Sequence, residues 1–124
     1  MNRMLFKVPA ILYTILIFVL SSLPKEALPP SPFLHFDKIT HFTEYLVYAA
    51  FLMLAFTTAK SPNVVKNALK LSLAVGIIYA ASDEIHQLFV SGRECNILDF
   101  VADSMGIVAG SVLYFRIIGK NRTE

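Results

Sequence analysis

The chain has 124 residues and a mass of 13.8 kDa, room for one compact unit over 1–124 and no second domain. It is 56% hydrophobic and 16% charged, with a mean hydropathy of +0.61. A soluble domain carries about 25% charged residues, so an ordinary water-facing surface is hard to build from this chain, and intrinsic disorder is excluded. The single cysteine, Cys95, excludes a disulfide scaffold. A net charge of +2, from 11 basic and 9 acidic residues, gives no footprint for nucleic acid, and no nucleic-acid partner is expected. The composition is that of a multi-pass integral membrane protein.

Charge-free stretches at 8–24, 45–59, 71–82 and 104–115 mark the candidate spans. A helix needs about 20 residues to cross a hydrocarbon core, and the last two stretches would cover only about 18 Å each. All but the first reach full length only by taking acidic neighbours into the membrane: His41 and Glu44; Asp83, Glu84 and His86; Asp99 and Asp103. The pattern predicts helices near 5–23, 37–59, 67–90 and 97–118, an all-α four-helix bundle. Arg3 and Lys7 before an apolar run resemble a signal peptide. No A-x-A cleavage site follows and the run is long for one, so the segment is read as a retained helix. The stretch 24–32, with four prolines, is expected to be a stiff, non-helical connector.

Basic residues set the expected orientation. Arg3 and Lys7, then Lys60, Lys66 and Lys70, then Arg116, Lys120 and Arg122 place eight of the eleven on one side, which the positive-inside rule makes cytoplasmic. Both termini are then cytoplasmic and the protein lies in the cell membrane. Lys25, Lys38 and Arg93 fall opposite, together with every acidic residue except Glu124.

On helical wheels these acids share faces. Asp37, His41, Glu44, Tyr45 and Tyr48 fall within an arc of about 100°, with Ile39, Phe42, Leu46, Ala50 and Met53 behind them, suited to lipid. Tyr79, Asp83, Glu84, His86 and Gln87 share an arc of the third helix, backed by Ile78, Ala81, Ile85 and Leu88. Asp99 and Asp103 align with Gly106 and Gly110, a small-xxx-small pair for close helix packing. All the charged groups lie about 10 Å or less below the outer end of their helices. Three polar faces at one depth predict a common, outward-facing site. It holds six acids, Asp37, Glu44, Asp83, Glu84, Asp99 and Asp103, against two fixed bases, Lys38 and Arg93. Carboxylates so crowded keep a proton or take up a cation. No cofactor is named by the sequence; a divalent cation such as Mg²⁺ or Mn²⁺ suits oxygen ligands.

Three ordered motifs carry a family resemblance: Asp37-Lys38-x-x-His41-Phe42-x-x-Tyr45; Asp83-Glu84-x-x-Gln87-x-Phe89-x-x-Gly92-Arg93; and Asp99-x-x-x-Asp103-x-x-Gly106-x-x-x-Gly110. Together they resemble the VanZ-like family. The chain departs from it at Ser91, where proline is usual, and at Asp103, where asparagine is usual. The resemblance implies a small bacterial membrane protein of four helices at the cell envelope, and its name-giving member is linked to low-level teicoplanin resistance. The expected function is binding of an envelope component, a lipid headgroup, lipid-linked wall precursor or lipoglycopeptide, by Asp37, Lys38, His41, Glu44, Tyr45, Asp83, Glu84, Gln87, Arg93, Asp99 and Asp103, with Arg93 as the phosphate contact. The alternative is a metal-dependent hydrolase or transferase acting on a lipid-linked substrate, with His41–Glu44 or Asp83–His86 as acid–base pair. Ion movement is disfavoured because the inner halves of the helices are apolar.

Overall fold

A computed structural model describes residues 2–119; Lys120, Arg122 and Glu124 lie outside the described residues. All the regular structure of the described residues is helical, without a strand. A 3₁₀ stretch, Arg3–Lys7, runs directly into α1 (Val8–Ser21). Asn2 caps it by accepting a hydrogen bond from the Met4 amide at 3.1 Å. α2 (Phe36–Thr57) matches the expected second helix to within two residues at either end. A short α3 (Pro62–Lys66) with proline in its first turn precedes α4 (Ala68–Gln87). α5 (Ile97–Tyr114) starts where expected and ends in a wider π turn over Phe115–Gly119.

Two expectations need correction here. The third helix stops at Gln87 rather than near 90, because tight i→i−3 bonds from the amides of Leu88, Phe89 and Val90 replace the α pattern. Gly92, at φ +71°, then turns the chain. The proline-rich connector is also not wholly free of helix. Lys25–Ala27 form one 3₁₀ turn, started by Pro24 and ended at Leu28, just before Pro29. The Lys25 amide donates to the Ser91 carbonyl at 3.2 Å, which lays the connector across the α4–α5 loop.

Three segments are long and apolar enough to cross a membrane: Arg3–Ser21, Phe36–Thr57 and Ile97–Gly119. α4 is not among them, since its 20 residues include Lys70, Asp83 and Glu84. It nevertheless packs against α1, α2 and α5. Its outer face is apolar and open, with Ile78, Ile85 and Leu88 exposed. The same is true of Ile11, Leu12, Ile15 and Leu16 on α1 and of Val101, Met105 and Val108 on α5. A soluble monomer rarely shows apolar surface on this scale; hydrocarbon accommodates it without cost.

α2 is the central rod, and its closest neighbour is α5. A Cβ at Gly106 would fall on the Phe42 carbonyl oxygen, and one at Gly110 on that of Leu46. The two backbones therefore touch. The α2 face of Phe42, Leu46 and Met53, expected to meet lipid, lies partly in the protein: the Phe42 and Leu46 backbones meet the glycines, their side chains are half-buried, and Met53 is fully buried. Only Ile39 of that set is strongly exposed. The apolar face looked lipid-directed because wheel geometry cannot tell lipid from a glycine-lined helix, and both want the same side chains. Ser72 of α4 and Ser111 of α5, both fully buried, share a 2.8 Å hydrogen bond lower in the stack.

Candidate functional site

The first turns of α2 and α5 and the last turn of α4 meet at one end of the molecule. Asn96 sets the start of α5: its side chain accepts from the Leu98 amide at 2.9 Å, a normal N-cap. With that start fixed, Asp99 and Asp103 stand one turn apart toward α2, where Lys38 and His41 stand nearly so toward α5. Lys38 Nζ contacts Asp37 at 2.6 Å and Asp99 at 2.5 Å. His41 Nδ1 is 2.8 Å from Asp103 Oδ1, and its Nε2 is 3.8 Å from Asp99 Oδ2. Five of the residues expected in the site thus form one connected chain, Asp37–Lys38–Asp99–His41–Asp103.

α4 adds two further acids, Asp83 and Glu84. Tyr45, fully buried on α2, donates its hydroxyl proton to Asp83 Oδ2 at 2.9 Å. Glu84 Oε2 accepts the Asn96 amide at 3.1 Å. The Gln87 amide, oriented to satisfy both neighbours, accepts from an Arg93 guanidinium nitrogen and donates to the Glu94 carbonyl, each at 3.3 Å. Glu44 is half-buried and lines a cavity beside Asp83. All eleven expected residues therefore stand in or directly beside one layer, and Asp83, Glu84, Gln87, Asp99 and Asp103 are buried.

Two side-chain oxygens in this layer, Glu84 Oε1 and Asp103 Oδ2, are buried without a hydrogen-bond partner. Two sets of groups come close enough to share an ion, His41 with Glu84 and Asp99, and Asp83 with Glu84 and Asp103; in each, the ligating atoms lie within 4.8 Å of one another.

Two cavities open onto the layer. One of about 250 Å³ is walled by His41, Glu44, Asp83 and Arg93, with Ile17, Leu20 and Ser21 of α1 closing one side. The other, of about 400 Å³, is walled by Asp37, His41, Asp99 and Arg93. Leu28, Pro29 and Ser31 of the connector line both. These connector residues and Asn96 are the site residues that sequence reasoning missed. Asn96 was detectable as a cap ahead of an apolar run; nothing marked the connector except its prolines. The most spacious of the three cavities, about 660 Å³, lies elsewhere. It is an apolar groove between α1 and α2 rimmed by Arg3, Lys7 and Lys60.

His86 does not join the layer. It sits 3.0 Å from the Ser22 hydroxyl and stacks on Phe18, turned toward α1. The expected Asp83–His86 pair is therefore absent: the two share a broad face, but α1 packs against the edge that carries His86 and takes the imidazole. Tyr48 and Tyr79 pack rather than line the site, accepting from the Thr14 hydroxyl at 2.9 Å and donating to the Thr14 carbonyl at 2.8 Å respectively. Cys95 is an exposed free thiol on the α4–α5 loop.

A helical protein with three membrane-length segments and a buried carboxylate layer at one end defines a class of membrane protein with a polar site at its helix ends. Within that class the chain belongs to the VanZ/LLP1 family, whose model matches residues 5–119. The matched region includes every residue of the layer. No curated protein and no solved structure matches the chain.

Proposed function

We propose that the protein crosses the cell membrane four times with both termini cytoplasmic, and that its carboxylate-rich layer, just beneath the outer surface, binds the headgroup of an envelope lipid or a lipid-linked wall precursor. The basic residues support this orientation, since Lys60, Lys66, Arg3 and Lys7 gather at the end opposite the acids. α4 supports a fourth span by its packing among the other rods and its open apolar face.

The observation that carries the binding reading is the pair of cavities that share Arg93, His41 and Asp37 in their walls. Arg93 presents a planar donor fork suited to phosphate oxygens, steadied by Gln87. The carboxylates opposite suit amines and hydroxyls, which a glycan or peptide headgroup offers. A site that engages wall precursors where glycopeptides also meet them contributes to teicoplanin resistance. The hydrolase or transferase reading is the weaker one. His86 faces α1, so the Asp83–His86 acid–base pair is absent, and the His41 Nδ1 contact is with Asp103 rather than Glu44.

Arg93→Ala tests the site. Phosphatidylglycerol and a polyprenyl-pyrophosphate-linked precursor, offered separately to the purified protein, identify the headgroup. The variant should retain the bound one about tenfold less well with an unchanged melting temperature. Equal retention by the variant overturns the reading. Orientation has its own test in Cys95, which a membrane-impermeant maleimide should label on intact cells. Labelling only after permeabilisation would place the layer on the cytoplasmic side.

A further inference from the structure

We infer that Asp83, Glu84 and Asp103 hold one hard divalent cation, of the Mg²⁺, Mn²⁺ or Ca²⁺ class, in the depth of the acid layer. The inference deepens the headgroup reading and rests on it for what the cation does, though not for its presence. These three side chains are 7%, 3% and 0% exposed, and their ligating oxygens lie within 4.8 Å of one another. That limit is compatible with shared ligation, since ligands across a hard divalent ion stand about 4 Å apart for Mg²⁺ and about 5 Å for Ca²⁺. Two of the three residues each carry a buried oxygen with no partner, Glu84 Oε1 and Asp103 Oδ2. Among the described residues only Ser21 Oγ and Ser104 Oγ are also buried without a partner; buried polar atoms normally find one, and an unpartnered carboxylate oxygen on two members of one close trio indicates that something is to be bound there.

Charge placement leads to two of the same three, Asp83 and Glu84. Lys38 is committed to Asp37 and Asp99, and His41 to Asp103 with Asp99 beyond it. The contacts of Asp83 and Glu84 are neutral, the Tyr45 hydroxyl and the Asn96 amide. Buried carboxylates without a counter-charge are costly, and a divalent ion is the most compact way to offset them. The donor set is oxygen only, which selects hard cations over zinc or copper. The overlapping set of His41, Glu84 and Asp99 is less available, because the Lys38 ammonium already sits on Asp99; the His41–Asp103 contact engages one member of each set and does not separate them. Asp83 also faces the 250 Å³ cavity. An ion held there would therefore sit beside the cavity that Arg93 also lines.

The test uses the full chain in detergent, stripped with chelator and titrated with Mn²⁺ alone, with no lipid present. About one Mn²⁺ per chain should bind saturably, compete with Mg²⁺ or Ca²⁺, and raise the melting temperature by roughly 4 °C at saturation. Glu84→Gln and Asp83→Asn should each weaken binding at least about tenfold, while Glu26→Gln in the connector should leave it unchanged. Wild-type protein without saturable Mn²⁺ binding overturns the inference, as does binding that survives Glu84→Gln. Should the substituted chains fail to fold, the wild-type resonance decides. Bound Mn²⁺ lacking nitrogen coupling supports the oxygen-only trio, and strong imidazole coupling overturns it. No Mn²⁺ binding alongside Arg93-dependent lipid retention removes the cation and leaves the headgroup reading standing. Saturable Mn²⁺ with lipid retention indifferent to Arg93 does the reverse.

Discussion

α2 and α5 meet along two successive stretches built on opposite principles. At their start, Lys38 and His41 face Asp99 and Asp103 through charged contacts. One turn deeper, Phe42, Leu46 and Ala49 face Gly106 and Gly110 with no charge at all, backbone against backbone. In hydrocarbon, small residues that let helices approach contribute through dispersion and close packing. Buried ion pairs, by contrast, regain little more than their desolvation costs. The glycine seam is therefore what joins the rods. The charged layer is something the seam permits, since only helices this close bring carboxylates of three elements within reach of one another. A chain selected only to pack would have continued the seam to the helix ends.

The largest expected effect comes from attacking the seam. In Gly106→Val the new side chain must displace the Phe42 carbonyl, and backbone of a continuous helix cannot yield as a side-chain tip can. The cost should exceed about 3 kcal/mol, lowering the melting temperature of the detergent-purified protein by more than about 10 °C or preventing its isolation. A melting temperature within about 2 °C of wild type would mean that the rods are held by the charges after all.

The seam and the layer are both legible in the sequence, and the rest only unevenly so. The seam could be read because Gly106 and Gly110 are four residues apart in a chain with only five glycines, on the stripe that also holds Asp99 and Asp103. The layer could be read because ionisable residues at helical spacing inside apolar stretches are too costly in hydrocarbon to stand without partners. What could not be read is rotation about each helix axis. Wheel arcs place His86 and Asp83 on one broad face, yet α1 takes the edge of that face and His86 with it. The same ambiguity sent Phe42, Leu46 and Met53 toward lipid. Nor could the connector's role as a wall be read, because it depends on a single long-range bond, Lys25 to Ser91, between two loops far apart in sequence.

A smaller and sharper probe lies where the two principles meet. Tyr45 is packed as part of the buried core, its ring 6.0 Å from that of Tyr48, yet its hydroxyl belongs to the acid layer through Asp83. Tyr45→Phe keeps the ring and deletes only the hydrogen bond, so it separates the packing contribution from the polar one. A single buried hydrogen bond between membrane helices contributes about 1 kcal/mol, a drop of roughly 4 °C for a chain this size. The size of that drop should depend on what else neutralises Asp83. With Mn²⁺ bound, the carboxylate keeps a partner and the loss should be smaller. In chelator it loses its one hydrogen bond and the loss should be larger. A drop of the same size in both conditions would detach Asp83 from the cation site, and no drop in either would show that the layer is indifferent to Tyr45.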